Sequence, residues 1–513
     1  MRVSVLFLGL FVWAGALCAQ SFWRPGRAND LTRPLSAPVD SSHIGIDYID
    51  PVKSLDKLGH TEPSGLIAYP IMSAYLRSGG KPTPAYEAIG GVHAEGWISN
   101  KWFFDANLYA GLLRESDYMQ SIIDSVGAIP GLGNPVRKGV SGDYTVRQLQ
   151  FTLGWRPGKH FLLTAGRGRH FIGAGYRTMF LSDFSAPYYF GRLDVSAWKL
   201  NYAMIYSKLH TGFSGVGAVN SLQGKYATMH YLSMELFPWL EIGAFEAVVW
   251  EQEDSVQKRG FDAQYLNPVI FYRPIEYGLG SSDNSLLGFT SIVKTSIGLL
   301  FYGQITIDEL IVMKALAPVW ARIYPDSAIQ TGWFENKHAF QLGMKWRGKN
   351  RLNKWSALAE INAVRPYTFA HTNINQNYTH MGQPLAHPLG ANFIEWVAGV
   401  HFAPTDRVSL RILSTLSRKG YSNHLRNMGE NPNRTTIEIS GQGPLAGHFI
   451  GQGRRVDVGN ITLETGYVIV QKWQMMATVA VQHRLVRTHQ GSSATTYAWV
   501  GVSTAFLSRE RSL

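Results

Sequence analysis

Three histidines, His371, His380 and His387, share one stretch at spacings of nine and seven residues. Imidazole is a common metal ligand. This spacing matches no standard metal pattern, and such histidines ordinarily hydrogen-bond within a folded loop, so neither a metal nor an organic cofactor is expected. Asp308 and Glu309 form an adjacent carboxylate pair. Neighbours on a strand point to opposite faces, so one of the two is expected to face an interior. The sequence contains no H-E-x-x-H, G-x-S-x-G, C-x-x-C or P-loop pattern, which leaves acid–base, nucleophilic and nucleotide chemistry without a signature.

Binding chemistry is better represented. Residues 365–392 combine Arg365, Tyr367, His371, Asn373, Asn375, Gln376, Asn377, Tyr378 and His380. Aromatic faces beside amides and hydroxyls suit sugars: the ring covers C–H surface and the polar groups bond hydroxyls. The same composition suits a hydrated, self-bonded loop. A second stretch, LNPVIFYRPIEYGLGSSDN at 266–284, carries Phe271, Tyr272, Arg273, Glu276, Tyr277, Asp283 and Asn284. Its two prolines forbid a regular central strand or helix interior. It is too apolar for an ordinary loop and is expected to tuck into a lumen, as a plug or as part of a binding surface. Basic clusters stand at Arg167, Arg169 and His170 in GRGRHF and at Arg454 and Arg455 in GQGRR.

The elements that position these residues are strands. In QLQFTLGW at 148–155, Leu149, Phe151, Leu153 and Trp155 alternate with Gln148, Gln150 and Thr152. In WKLNYAMIY at 198–206, Trp198, Leu200, Tyr202, Met204 and Tyr206 form one face, opposite Lys199 and Asn201. Period two marks half-buried strands. Short turns are expected at Ser99–Lys101, Arg156–Lys159, Ser196–Lys199, Phe237–Leu240, Thr295–Gly298, Arg347–Lys354, Ala403–Asp406 and Val470–Trp473. They alternate with long connections at 114–143, 169–187, 210–225, 251–285, 310–337, 365–392, 418–455 and 487–495. Such alternation is the habit of outer-membrane barrels. Strands from Tyr86 to Phe506, plus one earlier at 66–76 or 43–49, give an all-β transmembrane antiparallel barrel of about 18 strands. A soluble sandwich or propeller fits less well, for lack of a fixed-period repeat and because the strands are long.

Residues 1–19, MRVSVLFLGLFVWAGALCA, read as a signal peptide cleaved after Ala19, which removes the single cysteine, Cys18. The expected order is a signal peptide (1–19), an N-terminal periplasmic segment (20–65), a barrel (66–506) and a periplasmic tail (507–513). The formal net charge is +12 and the mean hydropathy −0.08. For an exported chain the anionic partners are acidic surface polysaccharide and lipopolysaccharide phosphates, not nucleic acid.

The segment LNPVIFYRPIEYGLGSSDNSLLG at 266–288, with LFYGQITIDEL at 300–310 and RPYTFAHTNINQNYTHMGQPLAHPLGANF at 365–393, resembles the Wzi capsule-assembly family in its Bacteroidota branch, which includes proteins labelled gliding-motility RemB. The resemblance implies a monomeric outer-membrane barrel of about 18 strands in a Gram-negative bacterium. It further implies a non-catalytic protein that binds or anchors capsular polysaccharide or assists its assembly. A component of a gliding or adhesion apparatus and a solute porin are the alternatives. An open lumen favours transport, and a plugged one favours binding.

Overall fold

The computed structural model describes residues 64–504, apart from Asn100, 134–135, 139–141, 213–222, 253–259, Phe261, 269–282, 310–313, Ala315, 324–328, 349–353, 424–425, 437–444, Lys472 and Gln474. Eighteen antiparallel strands close into a barrel. In chain order they are β1 (Ser64–Gly79), β2 (Lys81–Ile98), β3 (Trp102–Arg114), β4 (Asp143–Gly158), β5 (Phe161–Gly168) and β6 (Tyr188–Ala197). Then come β7 (Leu200–His210), β8 (Gly224–Phe237), β9 (Leu240–Glu251), β10 (Asn284–Lys294), β11 (Leu299–Glu309) and β12 (Lys337–Arg347). The ring ends with β13 (Trp355–Val364), β14 (Phe393–Phe402), β15 (Val408–Tyr421), β16 (Arg454–Val470), β17 (Met475–Thr488) and β18 (Gly491–Ser503). A further short strand, Val136–Lys138, pairs onto the end of β4 and brings the sheet to nineteen.

Each strand pairs with its sequence neighbour, and β1 closes the ring on β18 from Ser73↔Ser503 to Ser78↔Ala498. The seam needs a glycine. A Cβ at Gly501 would lie 2.3 Å from the Tyr75 ring and 2.4 Å from the Ala74 carbonyl oxygen. The first strand is the 66–76 candidate, lengthened at both ends; 43–49 lies outside the described residues.

Short and long connections alternate as expected, with two differences. The stretch 487–495 is a tight hairpin, not a long connection: Thr488 pairs with Gly491, and the Thr488 hydroxyl accepts from the Gln490 amide at 3.1 Å. The β1–β2 connection at the long-loop end is equally tight. Gly79 and Gly80 take φ of 115° and 81°, a conformation that disfavours a β-carbon.

The outer face is apolar. Leu149, Leu153 and Trp155 of β4 are exposed, while Gln148 is buried on the inner side and Gln150 donates to the Tyr109 hydroxyl at 3.1 Å. Stacked aromatics mark the short-turn end: Trp102 with Trp155, Phe237 with Trp239, and Trp355 with Phe402. An aromatic girdle at that level is what a membrane interface selects. No described helix is long and apolar enough to cross a membrane. The helix α1 (Asp117–Val126) follows β3, and its Ile123 packs with Ile129 and Leu132 against Ile71, Ile89, Tyr109, Leu113, Tyr144 and Val146 on the inner wall of β1–β4.

Candidate functional site

The largest apolar core lies inside the barrel. It joins Met179, Phe180 and Leu181 of the β5–β6 loop and Phe369, Tyr378, Leu385 and Ala386 of the β13–β14 loop to inward residues of β6–β10, β12, β13 and β14. Lumen-facing strand residues are usually polar in water-filled barrels. Here Ile205, Leu209, Met229, Phe245 and Val249 are buried on the inner face, because two loops supply a hydrophobic filling.

Loop backbone brought into a lumen must find hydrogen bonds, and the wall provides them. Glu360 of β13 accepts from the amides of Tyr176 (2.7 Å) and Arg177 (3.0 Å), from the Tyr302 hydroxyl (2.7 Å) and from Asn362 Nδ2 (2.8 Å). The approach is close enough that a Cβ at Gly175 would sit 2.4 Å from Glu360 Oε2. Gln304 accepts from the amide of Met179 at 2.9 Å, and Gln341 donates to the Arg177 carbonyl at 2.9 Å. Arg177 pairs with Glu395 of β14 at 3.3 Å, and Glu395 meets His387 Nε2 at 2.8 Å. Removing one partner of such a buried set strands the others, which is costly.

The β13–β14 loop is tied down the same way. Asp308 accepts from the Phe369 amide at 2.7 Å, Lys337 donates to the Ala370 carbonyl at 2.8 Å, and Lys225 donates to the Asn377 carbonyl at 2.6 Å. Asn284 donates to the Gln376 carbonyl at 2.9 Å. The loops then meet each other. Ser182 N donates to the Leu385 carbonyl at 2.7 Å, and Gln383 donates to the carbonyl of Ile129, against the opposite wall, at 2.9 Å. The lumen is therefore crossed from β1–β4 to β8–β14. Four of the six described non-glycine residues with positive φ, Tyr367, Phe369, Met381 and Asn392, lie in this one loop. Such backbone persists only where the surroundings over-determine it.

The residues singled out from sequence fall as follows. Tyr367 and Tyr378 are buried, so their rings are not open to stack on a sugar. Tyr367 donates to the Asn427 carbonyl at 2.9 Å, and burial pushes its hydroxyl up to about 12. Burial raises the Tyr378 hydroxyl well above its ordinary range. His380 Nδ1 accepts from the His210 amide at 3.1 Å, and burial holds its imidazole well below the usual range, with His210 and Lys225 adding to the effect. His371 is half-buried and lowered by burial. Arg365 caps the carbonyls of Asn336, Trp333 and His448. Arg167 reaches Gln148 Oε1 at 3.1 Å, and Arg169 the Asp183 carbonyl at 3.0 Å. Asp283 accepts from the Tyr265 hydroxyl at 2.6 Å. Phe271, Tyr272, Arg273, Glu276 and Tyr277 lie outside the described residues.

Of the segment 266–284, expected to tuck into the lumen, residues 269–282 lie outside the described residues; at its far end Asn284 donates to the Gln376 carbonyl of the β13–β14 loop at 2.9 Å and Asp283 accepts from Gln376 Nε2 at 3.4 Å. Tyr265 stacks on Trp250 at 4.4 Å, and its carbonyl accepts from Thr228 at 3.2 Å. Thr228 and Trp250 alternate with the lumen-facing Met229 and Val249, so they belong to the outer wall. Tyr265, just ahead of that segment, thus lies over the outside of β8 and β9, in an apolar cluster with Val248 and Trp250. Asp308 and Glu309 also depart from strict alternation. A ladder irregularity between Ile307 and Glu309 lets Glu309 reach the buried Lys337 at 3.1 Å.

The three loop histidines do not converge. Among the described residues only His93, Glu95 and Asp105 bring three metal-capable groups together, within 4.8 Å of one another on β2 and β3. His93 is already bonded to Asn107 at 3.0 Å and stacked on Tyr69.

A closed eighteen-strand barrel, apolar outside and girdled by aromatics, is an outer-membrane β-barrel. Among solved structures it is similar to Wzi of Escherichia coli, described as an outer-membrane protein involved in group 1 capsule assembly and a carbohydrate-binding β-barrel. That likeness has a TM-score of 0.52 at 13% identity over 95% of this chain and 94% of the other. OprD of Pseudomonas aeruginosa aligns at a TM-score of 0.45 with 10% identity, over 86% of this chain and 93% of its own. OccK8 (OprE) of the same organism aligns at 0.43 with 10% identity, over 86% and 97%. No family model and no curated protein matches the chain. The fold is that of a Wzi-like barrel.

Proposed function

We propose that this barrel is a non-catalytic surface protein of the Wzi capsule-assembly type, which binds or anchors acidic polysaccharide at the cell surface. One observation carries the reading: the lumen is crossed from wall to wall by loops whose backbone is bonded to buried wall residues. A diffusion channel has no use for such ties, whereas a binding surface needs a rigid support. The polymer meets what the loops leave outward. The β13–β14 loop presents His371, Thr372, Asn373, Ile374 and Asn375 to solvent, with the two asparagines braced on Glu251 at 3.0 and 3.2 Å. The net charge of +12 draws an anionic polymer, and Arg167 and Arg169 add local charge near the same rim. Tyr367 and Tyr378 support the loop from beneath.

The test has two arms. Gene deletion should move polysaccharide from the cell-attached to the shed fraction. Purified barrel should bind isolated acidic glycan more weakly at high salt. Replacing Thr372 and Ile374 by Gly should lower binding while the barrel stays folded. Unaltered attachment in the deletion strain, with large steady conductance of the protein in planar bilayers, would overturn the proposal in favour of a solute channel.

A further inference from the structure

The outer wall carries a charged cluster that lumen chemistry does not use. Arg418 on β15, Asp457 on β16 and Arg487 on β17 are direct cross-strand partners in one row. Arg455 stands two residues above Asp457 on the same face. Arg418 Nε donates to Asp457 Oδ1 at 3.0 Å and Arg455 Nε to Oδ2 at 3.1 Å. Arg418 and Arg455 remain about half exposed, and Arg487 is exposed. Two guanidinium groups thus share one carboxylate, and a third stands beside it on the next strand.

Facing and height say what surrounds them. Below the row, on the same face of the same strands, stand the exposed Ile461 and Leu463, Ile412, and Val479 and Val481, with Ser414 and His483 on either side of Ile461, down to the exposed Tyr467 near the short turns. Ten residues separate Asp457 from Tyr467. At ~3.4 Å per residue and a strand tilt near ~40°, that is about 26 Å along the membrane normal. The apolar band of an outer-membrane barrel is ~25 Å tall. With Tyr467 at one interface, the arginines stand at the other, among the headgroups of the outer leaflet.

We propose that Arg418, Arg455 and Arg487 form a binding site for the phosphate of an outer-leaflet glycolipid headgroup. Guanidinium forks match phosphate oxygens in pairs. Asp457 holds two of the forks in place and leaves the cluster with two excess positive charges. The apolar column directly beneath is where the acyl chains of such a lipid would lie. A free anion or a hydrophilic polymer makes no use of that column, which is why the occupant is a lipid.

The experiment uses the folded protein in mixed micelles, titrated with diphosphoryl lipid A and with its dephosphorylated form. The wild type should prefer the phosphorylated lipid. The triple variant R418Q/R455Q/R487Q should lose at least tenfold in affinity for it and bind both forms alike. R487Q alone, with the Asp457 pairs intact, should lose severalfold, so a triple variant that fails to fold leaves the proposal testable. R411Q, on the inner face of β15, should bind as the wild type does. Equal affinity of wild type and R487Q, or equal binding of the two lipids by wild type, would overturn the proposal. Displacement of the lipid by millimolar inorganic phosphate would also overturn it, by showing a free-anion site. So would stronger binding of polygalacturonate than of lipid at these arginines, by showing a polysaccharide site.

Discussion

Replacing Glu360 by Ala should release the β5–β6 loop without opening the barrel. The carboxylate accepts from two loop amides, Tyr176 and Arg177, and from the Tyr302 hydroxyl. Each buried donor left without a partner costs ~1–3 kcal/mol. Three donors, partly relieved by relaxation or an entering water, cost about 4 kcal/mol together. At ~1.4 kcal/mol per factor of ten, that is roughly three decades in the ratio of undocked to docked loop. Hydrogen exchange in detergent reads this directly: amides of residues 175–180 should exchange about a thousandfold faster, and single-channel bursts should appear in planar bilayers. Glu464→Ala is the control. It removes the same charge from an inner-wall pair with Arg411. Unchanged exchange at residues 175–180 in a folded Glu360→Ala barrel, or the same acceleration in Glu464→Ala, would refute the assignment of Glu360 as the loop anchor.

Other outcomes follow from the same geometry. Leu153→Arg, on the lipid face, should cost roughly 2–4 kcal/mol of barrel stability and Gln150→Arg, on the inner face, far less; heat-modifiable electrophoresis of the two compares them. Gly501→Val should strain the β1–β18 seam against Tyr75 and Ala74 by about 1–3 kcal/mol, seen as a lower yield of folded barrel. Burial holds His170 and His380 below the ordinary imidazole range, so the unfolded chain binds more protons than the folded one as pH falls below ~6.5. Loop docking is therefore fully stable above that pH and weakens below it. Protection of the β13–β14 loop amides, taken relative to their intrinsic exchange rate at each pH, should fall between pH 7.5 and 5, and His380→Gln should flatten that fall.

The barrel was legible because its strongest signal is local. Leu149, Leu153 and Trp155 against Gln148 and Gln150 announce a wall between lipid and interior within eight residues. The signal blurs where both faces are packed. Around β7 the outward Tyr202, Met204 and Tyr206 are readable, but Ile205 and Leu209 are buried on the other side, so period two is lost. The anchors were not legible. Glu360, Glu395, Gln304 and Gln341 look like any polar residues facing a water-filled lumen, and the amides bonded by Glu360 lie 183 and 184 residues away in sequence. The one available cue was Gly175 in a loop rich in Gly, which marks close backbone approach. The aromatic and amide residues of 365–392 suit a sugar or a self-bonded loop equally in sequence, and the buried Tyr367 and Tyr378 belong to the second.

The seam between β1 and β18 sets the order in which this molecule can be assembled. It is joined by six residue pairs, from Ser73↔Ser503 to Ser78↔Ala498, and reinforced where the Met72 amide donates to the Thr504 hydroxyl, 432 residues distant in sequence. Neighbouring strands elsewhere are joined by tight turns or by connections of a few tens of residues at most, which cost far less entropy to close than the whole chain. The seam alone must wait for the whole chain, so ring closure is the slowest pairing to find. Until it forms, β1 and β18 are raw sheet edges, ready to pair with any other strand. The cross-lumen ties shorten that search. Once Gln383 holds Ile129, the β1–β4 wall is tethered to β8–β14, and the two free edges are held near each other before they meet. The loops that block the pore would then also act as a jig for building it, and loosening them should slow barrel formation as well as open the lumen.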